Sequence, residues 1–152
     1  MAERKVVHIY AETDTPAPTT VKRYGGYVLE CIRKNGEPAT REEFMEMENT
    51  YHGVILQMFV LAMKRINQPC EIHLHTQNAY ILNMVDKFLS TWAENDFHNS
   101  KGEPVKNADI WEQLWQQVKT HKIVIEHGMH PYYGWIQTEI MKNKKEKAAQ
   151  LQ

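Results

Sequence analysis

The chain has 152 residues, 42% hydrophobic and 24% charged, proportions that exclude a disordered or fibrous chain and fit one globular domain of ordinary size. Eighteen Lys and Arg against 19 Asp and Glu leave a formal charge of −1, so no strong overall field draws it toward nucleic acid or an anionic membrane. The longest apolar run, residues 58–63 (MFVLAM), is far short of a bilayer span, and the opening MAERKVVHIY has no apolar signal core.

Residues 6–10 (VVHIY) form a β-branched and aromatic run that predicts a strand, closed by a polar, proline-rich loop at 11–20. A second strand at 24–33 runs into Asn35-Gly36, a hairpin signal, and its partner is expected near 39–47 although ATREEFMEM has poor β-propensity. From Thr50 the period changes: Val54, Ile55, Met58, Phe59, Ala62, Met63 and Ile66 make one helical stripe. Gly53 in its first turn costs about 1 kcal/mol relative to Ala, which suggests a close approach there. Asn67-Gln68-Pro69 stops that helix, and 70–76 (CEIHLHT) alternates as a strand. Residues 79–92 read as one helix with Tyr80, Val85, Phe88, Leu89 and Trp92 on its apolar face, followed by a polar loop at 93–105. Asn107 is the expected N-cap of a helix through Ile110, Trp111, Leu114, Trp115 and Val118. A short strand at 122–126 and a last helix after Pro131, with Gly134 as an internal weak point, complete the chain. The order β-β-β-α-β-α-α-β-α predicts a mixed α/β sheet, antiparallel first and then extended by parallel strands across helical crossovers. Cys31 and Cys70 lie in apolar segments and offer no disulfide framework. The expectation is a single cytoplasmic domain over 1–152 with a basic helical tail at about 142–152.

Three stretches carry a resemblance to a known family. Residues 70–92 (CEIHLHTQNAYILNMVDKFLSTW), 104–111 (PVKNADIW) and 127–131 (HGMHP), with VHIYAE at 7–12 and Asn49 before the central helix, resemble the ribonuclease H family, type 1, over residues 5 to 145. The resemblance implies a ribonuclease H-like fold: a five-stranded mixed sheet with helices on both faces. It also implies cleavage of the RNA strand of RNA–DNA hybrids by two Mg²⁺ ions held by four carboxylates, which clamp the attacking and leaving oxygens.

The matched positions depart from that pattern. Glu12 stands for the family's Asp on the first strand, His52 for a Glu on the central helix, Gln77 for an Asp after the fourth strand, and Gln137 for an Asp on the last helix. One carboxylate of four is left. An amide brings no charge, and imidazole suits softer metals than Mg²⁺, so two-metal binding is expected to fail and no cofactor is expected. Asp14 offers a second carboxylate, so Glu12, Asp14 and His52 are the candidates for one Zn²⁺ or Mn²⁺ ion if any is held. His127 matches the family's loop histidine that assists proton transfer, and an exposed loop histidine is the plainer reading.

Substrate-binding features thin out as well. The stretch 87–103, which matches a basic element in some relatives, carries Lys87 and Lys101 against Glu94, Asp96 and Glu103. Asn49 matches a family contact to nucleic acid, and Met47 replaces a phosphate-holding Thr. Lys142, Lys144, Lys145 and Lys147 form the clearest positive cluster, with Lys144 and Lys145 the candidates for phosphate contact. A solvated helix C-terminus gives the same pattern. His73 and His75 share one strand face with Gln77, read as a polar sheet face rather than a ligand pair, and Trp111 with Trp115 as a core stripe.

Three functions stay open on this reading. The first is a pseudoenzyme that binds RNA–DNA hybrid or other nucleic acid, or assists assembly. The second is an active nuclease built on Glu12, Asp14 and His52. The third is a protein-interaction domain that meets no nucleic acid. No membrane partner is expected, and the oligomeric state is open.

Overall fold

The computed structural model describes residues 5–151; residues 1–4 of the N-terminal reading and Gln152 of the predicted tail lie outside them. Five strands, β1 (Lys5–Thr13), β2 (Val21–Ile32), β3 (Pro38–Asn49), β4 (Cys70–His75) and β5 (Lys122–Glu126), form one sheet in the order β3-β2-β1-β4-β5. The β1–β2 and β2–β3 pairs are antiparallel, whereas β1–β4 and β4–β5 are parallel. The helices are α1 (Tyr51–Met63), α2 (Ala79–Lys87), α3 (Leu89–Glu94), α4 (Ala108–Val118) and α5 (Tyr133–Gln150). This is the ribonuclease H-like arrangement expected from the sequence, with β1 central.

Strand alternation sorts the two faces. Val7, Ile9 and Ala11 of β1, with Ile72 and Leu74 of β4, join Val54, Ile55, Met58, Phe59, Ala62 and Met63 of α1 in the main core, and α4 closes it with Trp111 and Leu114. Burying each large apolar side chain here contributes roughly 1.5–3 kcal/mol. On the other face Tyr10, Tyr24 and Val28 pack against Ile136 and Ile140 of α5. Neither Cys31 nor Cys70 forms a disulfide. Among the described residues no helix is long and apolar enough to cross a membrane.

Several local expectations are corrected. β1 runs on to Thr13 rather than ending at Tyr10, because Ala11, Glu12 and Thr13 pair with Tyr27, Gly26 and Gly25. β3 spans twelve residues despite its composition, paired along its whole length with β2; tertiary pairing overrides propensity. The helix predicted over 79–92 breaks at Phe88, whose φ of −122° and ψ of −23° leave the helical range. Its buried residues are Ile81, Leu82 and Leu89, while Tyr80 and Phe88 turn to solvent. Asn107 precedes α4 but is left-handed, with φ +61° and no capping hydrogen bond from its side chain. Gly134 is the second residue of α5 rather than an interior one. The close approach inferred at Gly53 is present: a Cβ there would lie 2.2 Å from Asn49 Oδ1.

Candidate functional site

Parallel pairing of β1 and β4 brings their C-terminal ends side by side, and in open α/β sheets ligand sites form at such ends. Glu12, near the end of β1, is buried, and its Oε2 accepts from the backbone N–H of Gln77 at 2.8 Å. The same oxygen lies 2.7 Å from His130 Nε2, in a pair whose side chains are 1% and 2% exposed. Gln77 itself is exposed and donates from Nε2 to the carbonyl of Gly128 at 3.1 Å. Gln137, on the second turn of α5, donates from Nε2 to the carbonyl of Thr13 at 3.0 Å.

His52 sits in the first turn of α1, a helix capped by the Thr50 hydroxyl, which accepts from Gly53 N at 3.1 Å. Asn78 caps α2 in the same way: its Oδ1 accepts from Ile81 N at 3.0 Å. That commitment turns the Asn78 amide nitrogen toward His52 Nδ1, 2.8 Å away, so Nδ1 is the acceptor and the ring proton resides on Nε2. The ring stacks on Tyr80 with centroids 4.3 Å apart. Burial is the main influence on His52 and holds its pKa below the ordinary histidine value; the Asn78 contact opposes this and the Lys106 charge adds to it. His52 is therefore a neutral imidazole whose one lone pair is already in use.

The structure thus brings Glu12, Gln77 and Gln137 to one end of the sheet and sets His52 beside them through Asn78. Asp14 is drawn elsewhere: it accepts from Tyr24 N at 3.2 Å and pairs with Lys144 Nζ at 2.7 Å. Glu12, Asp14 and His52 each have other partners, and among the described residues no three His, Cys, Asp or Glu side chains are grouped to hold a metal ion. A Mg²⁺ ion requires hard oxygen ligands and offsetting negative charge. One carboxylate with a doubly engaged oxygen, two amides turned to backbone carbonyls and a committed imidazole do not fit two such ions.

The remaining candidates are placed as follows. His127 is exposed in the loop before α5, next to Gly128. Asn49 Oδ1 accepts from Thr50 N at 2.7 Å, so its side chain fastens the start of α1. Lys144 is held by Asp14, Lys147 by Glu46 at 2.5 Å and Lys142 by Glu139 at 3.2 Å, while Lys145 is exposed. His73 stands between Glu71 and Glu126, 2.8 Å from each, and His75 Nε2 lies 2.9 Å from His8 Nδ1. These histidines line the polar sheet face, as their alternation predicts. Trp111 is buried and Trp115 packs on the core.

Sequence reasoning missed His130 and Arg23. The HGMHP segment contains both loop histidines, and the buried one is His130, held by Glu12. Arg23 is buried and donates to the carbonyls of Thr15, Ala17, Thr19 and Asn49 at 2.7–3.0 Å, which shapes the loop after β1.

A sheet ordered β3-β2-β1-β4-β5, with a cluster of polar side chains at the ends of β1 and β4, defines the ribonuclease H-like class of fold. A model of the RNase H family matches residues 8–129, and the chain belongs to that family. It is 31% identical over 101 residues to a ribonuclease HI of Xylella fastidiosa (strain Temecula1 / ATCC 700964), a match spanning 65% of this chain and 65% of the relative's length. Among solved structures it resembles LC9-RNase H1, described as a type 1 RNase H with the type 2 active-site motif, with a TM-score of 0.71 at 15% identity over 93% of this chain and 73% of that one. A foamy viral protease–reverse transcriptase in complex with RNA/DNA hybrid gives a TM-score of 0.64 at 18% identity, over 91% of this chain and 19% of that one.

Proposed function

We propose that this RNase H-family chain is a divergent type 1 member that has lost Mg²⁺-dependent cleavage of RNA–DNA hybrids. It acts as a pseudoenzyme, in nucleic-acid binding or assembly, through one cytoplasmic domain that uses no resident cofactor. The observation that carries this is the state of the four matched positions. Gln77 and Gln137 bring uncharged amides, whose nitrogens donate to the carbonyls of Gly128 and Thr13, and the His52 lone pair is spent on Asn78. Glu12 is then a single negative charge where the two-metal mechanism needs the offset of four positive ones. Losing several ligands that act as a unit removes a mechanism rather than slowing it.

Hybrid is the first ligand to test, because the foamy viral neighbour is seen in complex with one. The tail supplies little free charge, since Lys142, Lys144 and Lys147 are paired within the chain. Binding through about three phosphate contacts would weaken roughly 40-fold between 50 and 200 mM salt. Fluorescence anisotropy with hybrid, duplex RNA and duplex DNA at those salts should show weak, steeply salt-dependent binding. Absence of binding to all three would favour the protein-interaction function. Calorimetry with millimolar Mg²⁺ should show no saturable site; two-ion saturation abolished by Glu12→Gln would contradict the reading.

A further inference from the structure

We infer that His130 is the residue that denies divalent cations the Glu12 carboxylate, and that Glu12 serves as its hydrogen-bonding counter-group rather than as a metal ligand. This rests on the functional reading above. The two side chains meet across 118 residues of sequence, with Nε2 and Oε2 2.7 Å apart. His130 Nδ1 is buried without a hydrogen-bond partner. The tautomer that fits carries its proton on Nε2, donates it to Glu12 and leaves Nδ1 as a bare acceptor, which costs less than a buried unpaired N–H. The rings of Tyr10, Tyr133 and His75 wall the imidazole at centroid distances of 5.1, 6.2 and 6.3 Å.

Neighbouring contacts tie the same loop. Gln77 holds the Gly128 carbonyl, Gln137 holds the Thr13 carbonyl, and Tyr133 N donates to the His130 carbonyl at 3.3 Å. Residues 127–131 are thereby fastened over the ends of β1 and β4. A cation seeking Glu12 Oε2 must displace an N–H already in contact and leave that donor buried and unpaired, which is costly, and binding through both carboxylate oxygens is closed to it. Restoring carboxylates at the other positions leaves this obstacle in place.

Two measurements test the inference. Amide hydrogen exchange at Gly128, Met129, His130, Tyr132 and Tyr133 should speed up at least tenfold in His130→Asn and in Glu12→Gln. The double variant should match the faster single within about twofold, because both act through one contact. Unchanged exchange in both singles, or additive effects in the double, would overturn it. The second measurement is Mn²⁺ calorimetry on the chain carrying His52→Glu, Gln77→Asp and Gln137→Asp with Glu12 kept, once with His130 and once with His130→Asn. Affinity should be at least tenfold tighter without His130; equal affinities would overturn the inference. If His130→Asn does not fold, His130→Gln replaces it in both measurements. Hybrid cleavage by the unaltered chain in Mg²⁺ would defeat the functional reading and the inference with it, whereas unchanged exchange or equal Mn²⁺ affinities would defeat the inference alone.

Discussion

Arg23 is 1% exposed and meets four backbone carbonyls, those of Asn49, Thr15, Ala17 and Thr19, at 3.0, 2.7, 3.0 and 2.7 Å. Arg23→Met keeps most of the aliphatic packing and removes every donor. Each buried acceptor left unpaired costs about 1–3 kcal/mol. Thr19 is exposed, and Thr15, Ala17 and Asn49 are each partly so, so water can re-solvate some of these carbonyls. Two of the four left unsatisfied would give a loss of about 3 kcal/mol. With a urea slope of about 2 kcal/mol per molar for a chain of this size, the midpoint should fall by about 1.5 M. Arg23→Lys should recover less than half of that, since one ammonium cannot reproduce the planar fork that spans several carbonyls. Urea unfolding followed by tryptophan fluorescence reads both variants. A fall of less than about 0.3 M in Arg23→Met would refute the view that this cation organises the loop leading from β1.

The histidine face sets a pH dependence. Burial, followed by the charge of His8, pushes His75 down to about 4, and burial with His73 lowers His8. Both resist protonation in the fold, so the stability they contribute is full above the unfolded value near 6.5 and is lost as pH falls from there toward 4. His73 has the opposite sign: burial is its largest single influence and opposes charging, but its hydrogen bonds to Glu71 and Glu126, with the charges of both carboxylates, outweigh it and raise its pKa. Its contribution is full below 6.5 and is lost as pH rises through the raised value. After discounting for solvent screening, the acid-side loss from His75 is about 1–2 kcal/mol; urea midpoints from pH 7 to 4.5 should show it, and His75→Gln should flatten the slope. Gly53→Ala should destabilise by about 1 kcal/mol despite better helix propensity, because the methyl must displace Asn49 from Thr50 N; a stabilised variant in thermal melts would contradict this. Lys144→Ala should cost less than about 1 kcal/mol, as its pair with Asp14 is partly solvated; a larger loss in urea would show the tail to be a structural clamp.

Periodicity made most of the fold legible. Alternation in VVHIY and CEIHLH, and the α1 stripe, translate directly into one buried face each, because side-chain direction follows from backbone geometry. β3 was readable only through its hairpin, since Glu42, Glu43, Glu46 and Glu48 do not look like a strand; Glu43 is used by accepting from the Tyr27 hydroxyl at 3.1 Å. The break at Phe88 and the left-handed Asn107 depend on how α2, α3 and α4 pack, which spacing does not encode. The motif match named Glu12, His52, Gln77 and Gln137, and the fold brings them to one end of the sheet, whereas their hydrogen-bond partners were not legible. Glu12 meets a histidine on a distant loop, and His52 meets an asparagine whose capping role fixes which atom it presents. Arg23 gave no signal, because its four acceptors are backbone carbonyls that any sequence supplies.

The most direct measurement is cleavage of a fluorescent RNA–DNA hybrid in millimolar Mg²⁺ by the purified chain, alongside His52→Ala and from preparations free of host nuclease. The account predicts no cleavage above buffer by either protein. Robust cleavage by the unaltered chain that disappears in His52→Ala would contradict it, because it would show a working site at the position where the structure holds a neutral imidazole whose lone pair is already engaged.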